Sequence, residues 1–270
     1  MNKLTLGCLL VCAISNLCEA ETIDVVLLAG QSNMAGNALL ADVAEEYKQA
    51  PQRVVLLSSG KPEVIGSGRT FGPEIGFSKA ISVARPQQDF LLVKHARGGT
   101  SLAGWAPARD KEKLASKYDA SAGPLYRTLL AQYNAAIAGK KVRLTGILWM
   151  QGESDSRYPA LGPKYFDNLK TLIEAFRRDL KDPNLPFVMG RVNTPADMLD
   201  DDKKSSKFRF ISNVRAAQEK AVKEIPNVYL VETDDLPKQK DRIHYDPKGQ
   251  LELGKRFADV WLKQIPDVTE

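Results

Sequence analysis

Most of the chemistry open to this chain rests on one serine, two histidines and a D-x-x-H spacing. Ser32 lies in AGQSNMAG (29–36), directly after the apolar run from Ile23 to Leu28. A serine hydroxyl is a weak nucleophile until a base within hydrogen-bond reach takes its proton, and imidazole has a suitable pKa near neutrality. The only histidines are His95 and His244. His244 stands in DRIHYD, three residues after Asp241, where a short turn can fold the carboxylate back onto the same ring. Such a carboxylate fixes the tautomer and stabilises the imidazolium. His95 has no carboxylate close in sequence and reads as a packed or site-lining histidine. Ser32 has two plainer readings beside the nucleophile: a helix N-cap, and part of a phosphate cradle.

Other residues join this set on weaker grounds. Glu153, in WMQGESDSRY, is a second carboxylate that either orients His244 in place of Asp241 or anchors the loop bearing Gln151 by a buried hydrogen bond. Gly98 and Gly99, in KHARGGTSLAGW, permit close backbone approach to a reacting oxygen. The same stretch lacks the G-x-x-x-x-G-K-[ST] pattern of a phosphate loop. Trp105 either walls a sugar pocket or packs in the core. Arg97 and Arg109 either reach substrate or face solvent. Glu232, Asp234 and Asp235 read as an acidic turn, because no D-x-D-x-D-G loop accompanies them.

These residues need elements to position them. IDVVLLAG (23–30), RVVLLSS (53–59), DFLLVKHA (89–96), VRLTGILWM (142–150), PFVMGRV (186–192) and NVYLVE (227–232) are rich in Val, Ile and Leu with little alternation, as in strands buried on both faces. Between them, 123–139, 165–180, 214–225 and 247–265 carry helical periodicity, the last starting at Pro247. The βαβ order predicts an α/β fold: a three-layer α/β/α sandwich around a doubly wound parallel sheet, undivided by any linker or repeat. Ligands of such folds sit at the carboxyl ends of the strands. The unusual residues all fall there, at four strand tips.

The segments GQSNMAG, GGTSLAGW, WMQGESD and DRIHYDPKGQLELGKRFA resemble the SGNH-hydrolase superfamily, whose fold is flavodoxin-like. They are closest to its sialate O-acetylesterase domains and family-6 carbohydrate esterases, which include acetyl xylan esterases. The resemblance covers about residues 22 to 262. It implies hydrolysis of acetyl esters on carbohydrate without metal or nucleotide. Ser32 would attack the carbonyl, with His244 as base and Asp241, or else Glu153, as the third member. The oxyanion hole would comprise the N–H of Ser32, that of Gly99 or Gly98, and the amide of Gln151, where the superfamily has asparagine. Gln31, Asn33, Gly98, Arg97 and Trp105 are the expected substrate contacts. The expected substrate is acetylated xylan or a related saccharide. Alternatives are a sialate or general short-chain esterase, or a carbohydrate-binding protein on the same fold.

Composition sets the outer bounds. The chain has 270 residues, 43% of them hydrophobic and 26% charged, as in a folded protein with a sizeable core. Its first twenty residues follow a different pattern: a lysine, an apolar run and a small-residue site ending at Ala20, which together predict a cleavable export signal. Residues 21–270 would then form a single domain, in the periplasm or outside the cell, with no membrane span. A lipoprotein signal is the rival, since Cys8, Cys12 and Cys18 lie in this segment. They are the only cysteines, so the exported chain would have no thiol nucleophile and no disulfide. No cofactor is expected. The net charge of +5 comes from scattered lysines, and an exported chain without basic-aromatic clusters is not expected to bind nucleic acid.

Overall fold

The computed structural model describes residues 22–107, 124–193 and 207–266. The predicted export signal, the three cysteines and Arg109 lie outside the described residues, as does nearly all of the charged segment DMLDDDKKSSK (197–207), which the sequence offers as a surface loop or a rim of the site. Six parallel strands form the body of a seven-stranded sheet. They are β1 (Ile23–Gly30), β3 (Val54–Ser58), β6 (Phe90–Ala96), β7 (Val142–Met150), β8 (Phe187–Gly190) and β9 (Val228–Val231). The strand order is β4-β3-β6-β1-β7-β8-β9, with β4 (Lys61–Glu63) antiparallel at one edge. The chain fills one side of β1 with β3 and β6, then crosses to the other side with β7. This reversal at β1 opens a crevice where ligands of α/β sheets bind.

Both faces of the sheet are covered, as the unalternating apolar strands require. On β1, Val25, Leu27 and Ala29 pack into a core shared with helices α3 (Leu125–Ile137), α4 (Tyr165–Asp179) and α5 (Ile211–Glu224). Val26 and Leu28 face the opposite core, shared with α2 (Glu74–Ala84) and α6 (Pro247–Gln264). The last two helices approach with backbones nearly touching. A Cβ on Gly76 would lie 2.1 Å from the Leu251 carbonyl oxygen, and one on Gly254 would lie 2.1 Å from that of Pro73.

Three features lie beyond the periodicities described above. Helix α2 is interrupted by Gly76 and follows a glycine–proline pair, which obscures its helical repeat. Strand β4 is fully exposed and contains Pro62, so it has no apolar pattern; the two-residue turn Ser59–Gly60, with φ of 51° and 78°, creates it. Strands β2 (Ala38–Leu39) and β5 (Thr70–Phe71) form a separate two-residue ladder. No helix among the described residues is long and apolar enough to cross a membrane.

Candidate active site

The nucleophile segment is shaped by its glycines. Gly30 ends β1 with φ of 146°, and a Cβ there would sit 2.1 Å from the Met150 carbonyl oxygen. Only glycine lets β1 and β7 come this close. The chain then turns into α1 (Ser32–Ala35), a single turn in which the Met34 and Ala35 N–H groups donate to the Gln31 carbonyl at 2.9 and 2.8 Å. Gly36 closes it with φ of 98° against Phe71. Gln31, not Ser32, holds the N-cap position. Ser32 is the first helical residue, and its side chain is turned to the crevice instead of to the helix.

Ser32, His244 and Asp241 come together. The Ser32 hydroxyl lies 3.0 Å from His244 Nε2, and His244 Nδ1 lies 2.5 Å from Asp241 Oδ2. With Nδ1–H donating to the carboxylate, Nε2 is left to accept the serine proton. The D-x-x-H turn holds this arrangement from within. Asp241 Oδ1 accepts the backbone N–H groups of Ile243 and His244 at 2.9 and 3.0 Å. Burial alone would push the Asp241 carboxyl up, but these two N–H groups and the imidazole outweigh it and hold the carboxyl below its usual range. Asp246, next along, caps α6 by accepting the Gly249 N–H at 2.8 Å.

Glu153 bonds Asn33, while the imidazole bonds Asp241. Glu153 is buried, and its Oε1 accepts the Asn33 amide at 2.9 Å. Asn33 is buried and lies outside the cavity lining. Its side chain also donates to the Ile243 carbonyl at 3.2 Å and accepts the Tyr245 N–H at 3.2 Å, while its own carbonyl accepts Gln250 Nε2 at 3.2 Å. The residue expected to touch substrate therefore clamps the histidine loop onto the serine loop, and Glu153 backs the clamp. Desolvation raises the Glu153 carboxyl above its ordinary range, against the lowering effects of its own backbone, Asn33, His244 and Lys238.

A cavity of about 340 Å³ opens over Ser32, lined by His244, Gly98, Gly99, Gln31 and Glu153 among others. Gly99 has φ of 72°, a left-handed conformation that favours glycine. Three expectations change here. Trp105 is fully buried, with its ring edge-on to Trp149 at 5.1 Å, so its place is in the core. Gln151 is also fully buried and does not line the cavity. Arg97 is exposed and lies outside the lining, whereas Lys207 and Arg157 belong to it, and sequence reasoning missed Arg157. Both are exposed, and Arg157 ends a short 3-10 turn, Asp155–Arg157, that has no pattern to mark it. His95 is half-buried against Trp105 at 6.1 Å, and burial followed by the Arg97 charge lowers its pKa. The acidic turn pairs with arginines: Glu232 with Arg191 at 2.9 Å, Asp234 with Arg215 at 2.7 Å and Asp235 with Arg256 at 2.6 Å. A larger groove of about 600 Å³ lies between α2 and α6, remote from the serine.

One buried ion pair beneath the site also escaped the sequence reading. Lys94, on β6, binds Glu74 of α2 at 2.7 Å and donates to the Ala35 carbonyl at the end of the nucleophile turn at 2.9 Å. Its signal was present: a lysine in the middle of a strand otherwise buried on both faces.

Comparison with known proteins places this geometry. Residues 22–263 match the family model described as carbohydrate esterase, sialic acid-specific acetylesterase. The chain belongs to that family. As a carbohydrate esterase of this kind it is a carboxylic ester hydrolase acting on acetylated carbohydrate, and the non-catalytic alternative is set aside. It is 25% identical over 266 residues to a probable carbohydrate esterase of Arabidopsis thaliana, a match covering 90% of this chain and 91% of that protein. A solved Arabidopsis thaliana structure superposes with a TM-score of 0.72 at 22% identity, covering 91% of this esterase and all of that chain. NanS superposes at 0.65 with 18% identity, covering 90% of this chain and 98% of its own. A carbohydrate acetylesterase from Xanthomonas citri gives 0.64 at 18% identity, over 87% of this chain and 55% of the other. These likenesses agree on the α/β fold.

Proposed function

We propose that this esterase removes O-acetyl groups from saccharides by a Ser-His-Asp acyl-enzyme mechanism, outside the cytoplasm. The observation that carries the reading is the unbroken chain from Ser32 Oγ through both ring nitrogens of His244 to Asp241, at 3.0 and 2.5 Å. Ser32 Oγ attacks the acetyl carbonyl carbon while His244 Nε2 takes the hydroxyl proton. The tetrahedral oxyanion is met by the N–H groups of Ser32 and Gly99. Its collapse breaks the ester bond, and His244 returns the proton to the departing sugar oxygen. Water, deprotonated by the same imidazole, then attacks the acyl-serine and releases acetate. Asp241 keeps the ring oriented and compensates its charge, and the N–H groups that hold Asp241 ionised support that role.

Acetylated xylan or a related neutral saccharide is the first substrate. An acidic saccharide, such as an O-acetyl sialic acid, is the second reading. The cations of Arg157 and Lys207 on the cavity wall favour it, because no carboxylate among the described residues pairs with either. Export through the segment ending at Ala20 would bring the enzyme to such glycans.

Acetate release by residues 21–270 from acetylated xylan, O-acetyl sialic acid and an aryl acetate tests the reading. Ser32→Ala is expected to lower kcat roughly 10⁶-fold. A folded wild-type protein that frees no acetate from any of the three would overturn it. The ranking of xylan against sialic acid chooses between the substrates.

A further inference from the structure

Gln151, the residue that the family resemblance offers as side-chain oxyanion donor, has no hydrogen left to give. Its Nε2 carries two. The Thr100 carbonyl lies 3.0 Å from that nitrogen, Asp155 Oδ2 lies 2.5 Å away, and Gln31 Oε1 lies 3.3 Å away. The Tyr165 hydroxyl shares its one proton between the Gln151 backbone carbonyl at 2.8 Å and Gln151 Oε1 at 3.1 Å. Asp155 is itself fully buried and accepts the Leu102 N–H at 3.0 Å, which ties the loop after β6 to the loop after β7. Gln151 is thus a strut inside the protein, sealed from the cavity.

Gln31 has the complementary arrangement. It immediately precedes the serine and lines the cavity. Its Oε1 accepts from the Gly152 and Ser154 N–H groups at 3.3 Å, and lies 3.3 Å from Gln151 Nε2, whose two hydrogens point first to Asp155 and Thr100. A carboxamide is planar, and its oxygen and nitrogen diverge from one carbon. Two backbone N–H groups fixing the oxygen therefore fix the direction of the nitrogen. Among the described residues, no acceptor takes the Gln31 Nε2 hydrogens. Flipping the amide would set its NH₂ against the Gly152 and Ser154 N–H groups, so the network admits one orientation only.

We infer that the Gln31 carboxamide is the side-chain oxyanion donor, a catalytic residue, and that Gln151 is the positioning residue that aims it. The inference rests on the Ser-His-Asp reading above. With the N–H groups of Ser32 and Gly99 it completes three donors around the carbonyl oxygen, two of them contributed by adjacent residues of one turn. The unusual feature is that the nucleophile's own segment supplies the amide, with the third loop acting only as its frame.

Steady-state hydrolysis of an aryl acetate by Ser32→Ala, Gln31→Met and Gln31→Glu, each checked for folding, is the test. Gln31→Glu keeps an acceptor for the Gly152 and Ser154 N–H groups, so it preserves the frame should Gln31→Met fail to fold. Both are expected to lower kcat roughly 100- to 1000-fold, with KM within about threefold, since the contact forms only as charge develops. A folded Gln31→Glu that turns over within about threefold of wild type, beside an inactive Ser32→Ala, overturns this inference alone. The same holds if the loss falls on KM instead of kcat. A Ser32→Ala protein as active as wild type overturns the Ser-His-Asp reading, and this inference with it.

Discussion

At the scale of the residue, two carboxylates near one imidazole have been sorted by their partners. Asp241 bonds the ring; Glu153 bonds Asn33, which in turn holds the histidine loop. Their environments also push them in opposite directions, Asp241 towards ionisation and Glu153 towards protonation. Asp241→Asn is expected to cost about 10⁴-fold in kcat through the wrong tautomer. Glu153→Gln keeps an acceptor for Asn33 and should leave kcat within about threefold of wild type. The stability effect has a definite sign. A carboxyl whose folded pKa lies above its unfolded one makes the fold less stable as pH rises from the ordinary glutamate range through the raised value. Glu153→Gln lacks that loss, so its stability advantage over wild type should grow as pH is raised above about 4. Denaturant midpoints across pH, alongside kcat for both variants, check this. Abolished turnover in a folded Glu153→Gln, with Asp241→Asn nearly unaffected, would exchange the two roles.

At the scale of the element, the nucleophile turn is too short to hold its own geometry. Four helical residues give little internal hydrogen bonding, so neighbours must fix α1 from below and from the side. Lys94 does so from β6, gripping the Ala35 carbonyl while Glu74 of α2 neutralises it. Glu74 Oε1 also takes the Gly72 N–H at 2.8 Å, binding the start of α2 into the same group. Removing one member of a buried pair leaves the other charge uncompensated. Lys94→Met is therefore expected to destabilise the protein by about 3–5 kcal/mol. The double variant Lys94→Met/Glu74→Gln should recover part of that loss. Urea unfolding measures both, and a Lys94→Met protein within about 1 kcal/mol of wild type would mean that the pair is dispensable.

At the scale of the whole molecule, the sheet begins at Ile23, directly after Thr22, whose carbonyl accepts Gln88 Nε2 at 2.7 Å. The family match begins at Thr22. The same end of β1 is stapled by the buried Asp24, bound to Arg143 at 2.7 and 2.8 Å, so the strand that delivers Ser32 is anchored at its start. If residues 1–20 serve export, the chain starting at Glu21 should unfold at the same temperature as the full chain and hydrolyse an aryl acetate equally fast. N-terminal sequencing of the exported protein should then read from Glu21. Met1, or a modified cysteine, at that terminus would contradict the cleavage.

The sheet was legible because its strands are buried on both faces and must be apolar throughout, whatever their neighbours. The serine, the histidine and its aspartate were legible because D-x-x-H is a local turn and the pairing is limited by having only two histidines. The resemblance of four motifs supplied the rest of the candidate site, and there the tertiary structure decided differently. Whether Gln151 faces the cavity or the core depends on Thr100, Asp155 and Tyr165, which arrive from two loops and a helix. Asn33 and Glu153 likewise take their roles from contacts more than a hundred residues away in sequence. Residue type and local spacing determine what a side chain can do. Which of its hydrogen-bonding groups remain free to act is set by the surrounding fold, because a buried donor or acceptor must find a partner wherever the packed chain provides one.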